Sequence, residues 1–160
     1  MPQGEQFLPY FPGLIPVEAD LWRIWLKYHE SEFDAFEYNV RVGQGLNVTP
    51  VTKGLTPELS AALTTMWQQL TQKKIDVVGQ TGVQTWIFEV EERPGTRALG
   101  QLLTYATWLT KQRELTLSPT LAIVCRALGP DMLEVFQENG IVIYQLQNLT
   151  STVREIAPEG

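Results

Sequence analysis

One cysteine and one histidine among 160 residues exclude whole classes of chemistry before any motif is sought. A lone Cys125 rules out an intrachain disulfide and a cysteine-rich zinc site, and the apolar stretch around it (LAIVC) predicts a core thiol in a reducing compartment. A lone His29 cannot supply a two-histidine zinc motif, and no serine stands in a G-x-S-x-G elbow. A Ser-His-Asp or Cys-His enzyme would have to use His29 itself, at the polar end of an expected helix. Neither G-x-x-x-x-G-K-[ST] nor G-x-G-x-x-G occurs, so nucleotide binding has no motif behind it. No apolar run approaches the ~20 residues that cross a bilayer. The start, MPQGEQFLPYFPGLIP, has no basic region and its apolar residues are broken by prolines, unlike a signal peptide. The expectation is a soluble protein of the cytoplasm or another intracellular setting, with no membrane partner.

Positive charge is also scarce. Twelve Lys and Arg face 18 Asp and Glu, for a net charge of −6. Proteins that grip DNA without regard to sequence present a basic face, because neutralising phosphates supplies that affinity. Any DNA contact here must come from a local basic patch. Hydrolytic chemistry, if present, must rest on carboxylates.

What is there is enough for one core: 44% of residues are hydrophobic, in a length suited to one domain. Residues 1–16 are rich in Pro and Gly and read as an extended N-terminal arm. Residues 17–147 read as the domain, and 148–160 as a loose C-terminal tail. Leu21, Trp22, Ile24, Trp25 and Tyr28 recur at a helical period, and residues 35–43 alternate as a strand. After a loop, Thr56-Pro57-Glu58 is a helix start for an inserted helix around 57–72. KIDVVGQ and QTWIFEVE predict a hairpin about a turn at Gly79-Gln80-Thr81-Gly82. A helix over 97–112, a buried strand TLAIVCRAL, a short helix closed by Gly140 and a buried strand IVIYQL follow. Strands apolar on both faces imply an α/β fold with helices on each side of the sheet.

Two acids interrupt this apolar pattern. Asp76 sits inside IDVV and Glu89 inside WIFEV, and a carboxylate facing a sheet core without partners costs several kcal/mol. One reading has them near strand ends, reaching water or pairing with Arg93 or Lys74. The other has them share a divalent metal. Strand alternation puts Glu89, Glu91 and Arg93 on one face. Glu18 shares a helix face with Leu21, Trp22 and Trp25, which points it inward, while a first-turn Glu is also a favourable partner for the helix dipole. Lys73 and Lys74 flank Asp76, and Arg93 and Arg97 flank the Glu89 strand, as a phosphate rim or as an ordinary solvated edge. The acidic run Glu30, Glu32, Asp34 and Glu37 reads as a solvated face.

The series helix, strand, Asp76, strand, Glu89-x-Glu91, helix resembles the PD-(D/E)XK superfamily of metal-dependent nucleases. Gln101-Leu-Leu-Thr-Tyr105, on the next predicted helix, is similar to the Q-x-x-x-Y element of its RecB-like branch. The resemblance spans about residues 17–147. It implies a restriction-endonuclease-like αβββαβ core with a central mixed sheet. It further implies Mg²⁺ or Mn²⁺ held by Asp76 and Glu89 with Glu18 as helper, and Gln101 and Tyr105 positioning DNA or bracing the site. The family has a lysine two residues after the glutamate, where this chain has Glu91. That lysine orients the attacking water and offsets charge on the phosphate, a contribution of a few kcal/mol. A few restriction endonucleases resemble this arrangement, with glutamate at that place. Arg93, one step further on the same face, partly supplies the missing charge in this reading.

Two functions therefore stand open. One is a metal-dependent deoxyribonuclease using Asp76, Glu89, Glu91 and Arg93. The other is a non-catalytic descendant of the fold, a structural or interaction subunit. In that second reading residues 1–16 and 148–160 join it to copies of itself or to a larger assembly such as a viral particle.

Overall fold

The computed structural model of the chain describes residues 10–45, 54–147 and 152–156. Residues 1–9 of the expected arm, 46–53 of the expected loop, and 148–151 and 157–160 of the expected tail lie outside the described residues.

Helix α1 (Pro16–His29) leads through a 3-10 turn (Glu30–Glu32) into β1 (Ala35–Val42). Then come α2 (Pro57–Thr71), β2 (Lys73–Thr81), β3 (Gln84–Val90), α3 (Thr96–Arg113), β4 (Thr120–Cys125), α4 (Pro130–Glu138), β5 (Val142–Gln147) and β6 (Thr152–Ile156). The strands form one mixed sheet in chain order, β1-β2-β3-β4-β5-β6. β1 and β2 pair antiparallel, as do β2 and β3; β3, β4 and β5 are parallel, and β6 returns antiparallel to β5. The fold is thus the expected α/β arrangement, a central mixed sheet flanked by helices, with a helix inserted between β1 and β2. It departs from the sequence reading at residues 152–156, expected as tail, which pair with β5 from Gln147–Thr152 to Ile143–Ile156.

The helices start where local chemistry dictates. Pro16 opens α1 with its φ preset and no N–H to satisfy. Glu18, one turn in, reaches back so that its Oε2 accepts the Ile15 N–H at 3.1 Å. Thr56 caps α2 by accepting the Leu59 N–H on Oγ1 at 3.2 Å. α3 buries a stripe of Ala98, Leu102, Tyr105 and Leu109, at steps of four, three and four.

Each sheet face has its own core. α1 lays Leu21, Trp22 and Trp25 onto Val77, Phe88 and Val124. Trp22 and Trp25 stack at 4.6 Å, and Trp25 meets the Phe88 ring edge-on at 4.9 Å; such pairs add about 0.5–1.5 kcal/mol each beyond burial. α3 and α4 cover the opposite face over Ile75, Ile87, Ile123 and Ile143. α2 is different. None of its described side chains is buried, and Leu59, Met66 and Trp67 are all more than 40% exposed.

The β2–β3 hairpin closes through Gly82 and Val83, because Thr81 already pairs with Gln84. Gly79, expected in the turn, stays within β2. A Cβ there would lie 3.0 Å from the Phe33 ring and 3.1 Å from the Phe88 ring, so glycine is required by close packing. Gly82 takes the positive φ of +56° instead, and its N–H donates to Asp34 Oδ2 at 2.7 Å.

Candidate active site

β2 and β3 pair from Thr81–Gln84 to Val77–Phe88, and there the ladder ends. The next residues along are Asp76 and Glu89. β3 stays paired to β4 through Val90–Val124 and β2 to β1 through Val42–Lys73, so the sheet forks between β2 and β3. The Asp76 carboxylate fills the gap: its Oδ2 accepts the Val90 N–H at 2.9 Å. On the other edge of β2, Asn39 adopts φ +54° between the pairs Tyr38–Val77 and Val40–Ile75. Alternation slips here, with Ile75 in the core under α3 and Val77 in the core under α1. Asp76 thus stands at an irregularity of both its ladders.

Glu89 follows the period of Ile87, toward α3. It is only 7% exposed, and its Oε2 is buried with no hydrogen-bond partner. An unpaired buried carboxylate oxygen is costly unless it is protonated or holds a cation. Burial raises the Glu89 pKa, and the charges of Asp76, Glu91 and Glu18 raise it further against the opposing pull of Arg97. Burial likewise raises Asp76; the Val90 N–H opposes this, while Glu18 and Glu91 add to it. Glu91, just past the strand end, and Glu18, at the start of α1, are each raised first by burial. The four acids therefore share one electrostatic field, although they come from α1, β2 and the end of β3.

The Q-x-x-x-Y residues form a unit beside this field. Gln101 Nε2 donates to Tyr105 Oη at 3.2 Å. Tyr105 is buried, and its phenol is raised by burial and by Glu89 and Asp76. The cation acting on the acids is Arg97, in the first turn of α3. Arg93 stands in the exposed turn after β3, with no ion pair among the described residues. Lys73, Lys74, Arg97, Gln101 and Tyr105 come together as the lining of one cleft of about 670 Å³. Thr71, Gln72 and Thr104 line it as well; no signal in the sequence marks them, because α2 and α3 approach only through the fold.

The two single residues fall away from this site. His29 lies against Glu32, Nδ1 to Oε2 at 3.3 Å, and stacks on Trp25 in the core under α1. Cys125 is buried, which pushes its thiol up to about 12 and leaves it inert.

Among the described residues, no three His, Cys, Asp or Glu side chains converge into a ready-made metal cage. The donors present still suit a hard cation. Mg²⁺ is commonly bound through one or two carboxylates and keeps several waters, and all-oxygen donors select Mg²⁺, Mn²⁺ or Ca²⁺. The orphaned Glu89 oxygen beside Asp76 fits that demand.

Among the described residues, no helix is long and apolar enough to cross a membrane. No family model, no curated protein and no solved structure matches the chain.

Proposed function

We propose that the protein is a metal-dependent DNA nuclease of the PD-(D/E)XK type, hydrolysing phosphodiester bonds with Glu91 in the place of the usual lysine. The observation that carries this reading is the buried, unpartnered Oε2 of Glu89 next to Asp76, at the point where β2 and β3 part. Asp76 and Glu89 hold Mg²⁺ or Mn²⁺, with Glu18 and Glu91 adding negative charge around it. The bound ion supplies Lewis acidity and a more acidic water. The chain's own residues do the rest. Glu91 takes the proton of the attacking water, Arg97 offsets charge developing on the phosphate, and Tyr105, braced by Gln101, fixes one wall of the site.

The test is incubation of supercoiled and linear DNA with the protein and Mg²⁺ or Mn²⁺. Cleavage is expected, to be abolished by chelator, by Glu89→Gln and by Asp76→Asn. Absence of cleavage with either metal, together with absence of Mn²⁺ binding by calorimetry, defeats the proposal.

A second reading, a non-catalytic subunit built on the same fold, is favoured by one specific observation. Glu91 puts negative charge where PD-(D/E)XK nucleases use a positive one, and no third carboxylate closes a cage among the described residues. In this reading the acids are structural, and residues 1–16 and 148–160 carry the contacts with copies of the chain or with a larger, viral-type assembly.

A further inference from the structure

The cleft beside the carboxylates is walled by the end of α2, the start of β2 and the first turns of α3. Three of its lining residues are cations, Lys73, Lys74 and Arg97, and all three are exposed. Among the described residues none of them forms an ion pair. Neutral polar groups around them are committed elsewhere. Gln72 Nε2 donates to the Gly43 carbonyl at 2.8 Å, and Thr104 Oγ1 to the Gly100 carbonyl at 2.7 Å. Arg97 is partly offset by Glu89 and Glu91, so what the cleft offers a ligand is chiefly the positive charge of Lys73 and Lys74, which suits phosphate. Its far wall is Tyr105, which stands in the field of Asp76 and Glu89.

The number of cations limits the ligand. Duplex binders with strong non-specific affinity make about 6–10 phosphate contacts, and the overall charge of −6 repels a long duplex face. Three clustered cations match a few phosphates of one strand. We propose that this cleft seats a single, unpaired polynucleotide strand, with its phosphates on Lys73, Lys74 and Arg97, and leads it to Asp76 and Glu89. Delivery to the carboxylates rests on the nuclease reading; the seat itself does not.

The experiment uses the full chain in chelator, with a short fluorescein-labelled DNA strand and the same sequence as a duplex, read by anisotropy over a salt series. The strand is expected to bind more tightly than the duplex. Its log–log salt slope should be about −2, from about −0.7 per phosphate contact. Lys73→Ala with Lys74→Ala should bring the slope to about −0.7. Lys27→Ala, on α1 across the sheet, makes the same type of charge change and should leave the slope as it was. A duplex bound as tightly as the strand, or a slope unchanged in the Lys73/Lys74 variant, overturns the seat. Because binding is read without metal, the two proposals fail separately. A strand that binds with this slope in a protein that cuts nothing counts against the nuclease reading alone, and cleavage of duplex without strand binding counts against the seat alone.

Discussion

Asp76 takes the backbone N–H of Val90, at 2.9 Å, from a strand it has just stopped pairing with. The side chain thereby satisfies a main-chain donor at the open end of the hairpin, and it brings its negative charge beside Glu89, the residue before Val90. A buried N–H left unpaired costs about 1–3 kcal/mol, so Asp76 has a structural task whether or not it holds a metal. Asp76→Ala should destabilise the protein by about that amount, read as a lower urea midpoint. Asp76→Asn, whose amide oxygen can still accept the Val90 N–H, should retain most of the stability while losing cleavage.

The carboxyl shifts predict how stability varies with pH. Burial raises the native pKa values of Asp76 and Glu89 above the unfolded values near 4. Between the unfolded and native values the native state binds more protons, so unfolding free energy falls with rising pH. This contribution is complete below about pH 4 and is lost as pH climbs through the native values. Urea midpoints of the metal-free protein should therefore decline from mildly acidic to alkaline pH. Glu89→Gln should flatten the decline and add on the order of 1–3 kcal/mol at the alkaline end.

Divalent cation should reverse that decline. A cation bound only by the native state adds about 2.7 kcal/mol at a hundredfold excess over its Kd. For a chain of this size that corresponds to a rise in melting temperature of roughly 5–10 °C. Thermal scans at alkaline pH with Mn²⁺ and with chelator give the difference. An equal rise in the Glu89→Gln variant would locate the cation elsewhere.

Glu91→Lys installs the positive charge that PD-(D/E)XK nucleases carry at the corresponding place. It places a cation next to Glu89, easing its ionisation, and offers an electrostatic stabiliser to the phosphate. Because it also removes the group that takes the proton of the attacking water, plasmid cleavage should fall by about 10²-fold or more. A rise in rate would show that charge at this position, and not a carboxylate base, limits cleavage.

Packing predictions test the scaffold. Trp25→Ala removes a fully buried ring that stacks on Trp22 and meets Phe88, and should cost about 3–5 kcal/mol. Gly79→Ala pushes a methyl group to 3.0 Å from Phe33 and should cost about 1–3 kcal/mol by overpacking. Denaturant titrations with an unchanged slope would assign both losses to the native state.

Much of this fold is legible in the sequence because its elements carry strong local periods. The stripe of α1 and the apolar runs of β4 and β5 show their burial directly. β6 is not legible in that way. Thr152–Ile156 is only five residues long, and its place comes from pairing with β5 rather than from a pattern of its own. Gly79 misleads because a glycine that admits two aromatic rings looks, in sequence, like one that makes a turn. The acids Asp76 and Glu89 stand out as expensive interruptions of apolar strands, and the structure places them where those strands separate. The Val90 N–H that Asp76 takes is invisible in advance, since it depends on where β2 and β3 stop pairing. Arg93 extends the alternation of β3 past Val90 only in sequence. The strand ends there, and the cation that acts on the acids is Arg97, set by the first turn of α3.

The sheet's order matches the order of the chain, and this bears on how the molecule assembles. Each strand docks on the one made just before it, so the growing sheet never has to wait for a distant segment to insert between two neighbours. Most of these pairings still bridge long stretches of chain, as from Ala35 to Gln80 and from Trp86 to Thr120, so loop closure makes them slower to form than the hairpin. The β2–β3 hairpin is the most local of these pairings and needs only Gly82 and Val83 to close it. Its far end, where the ladder stops short of Asp76 and Glu89, is then left for α3 to cover as synthesis proceeds.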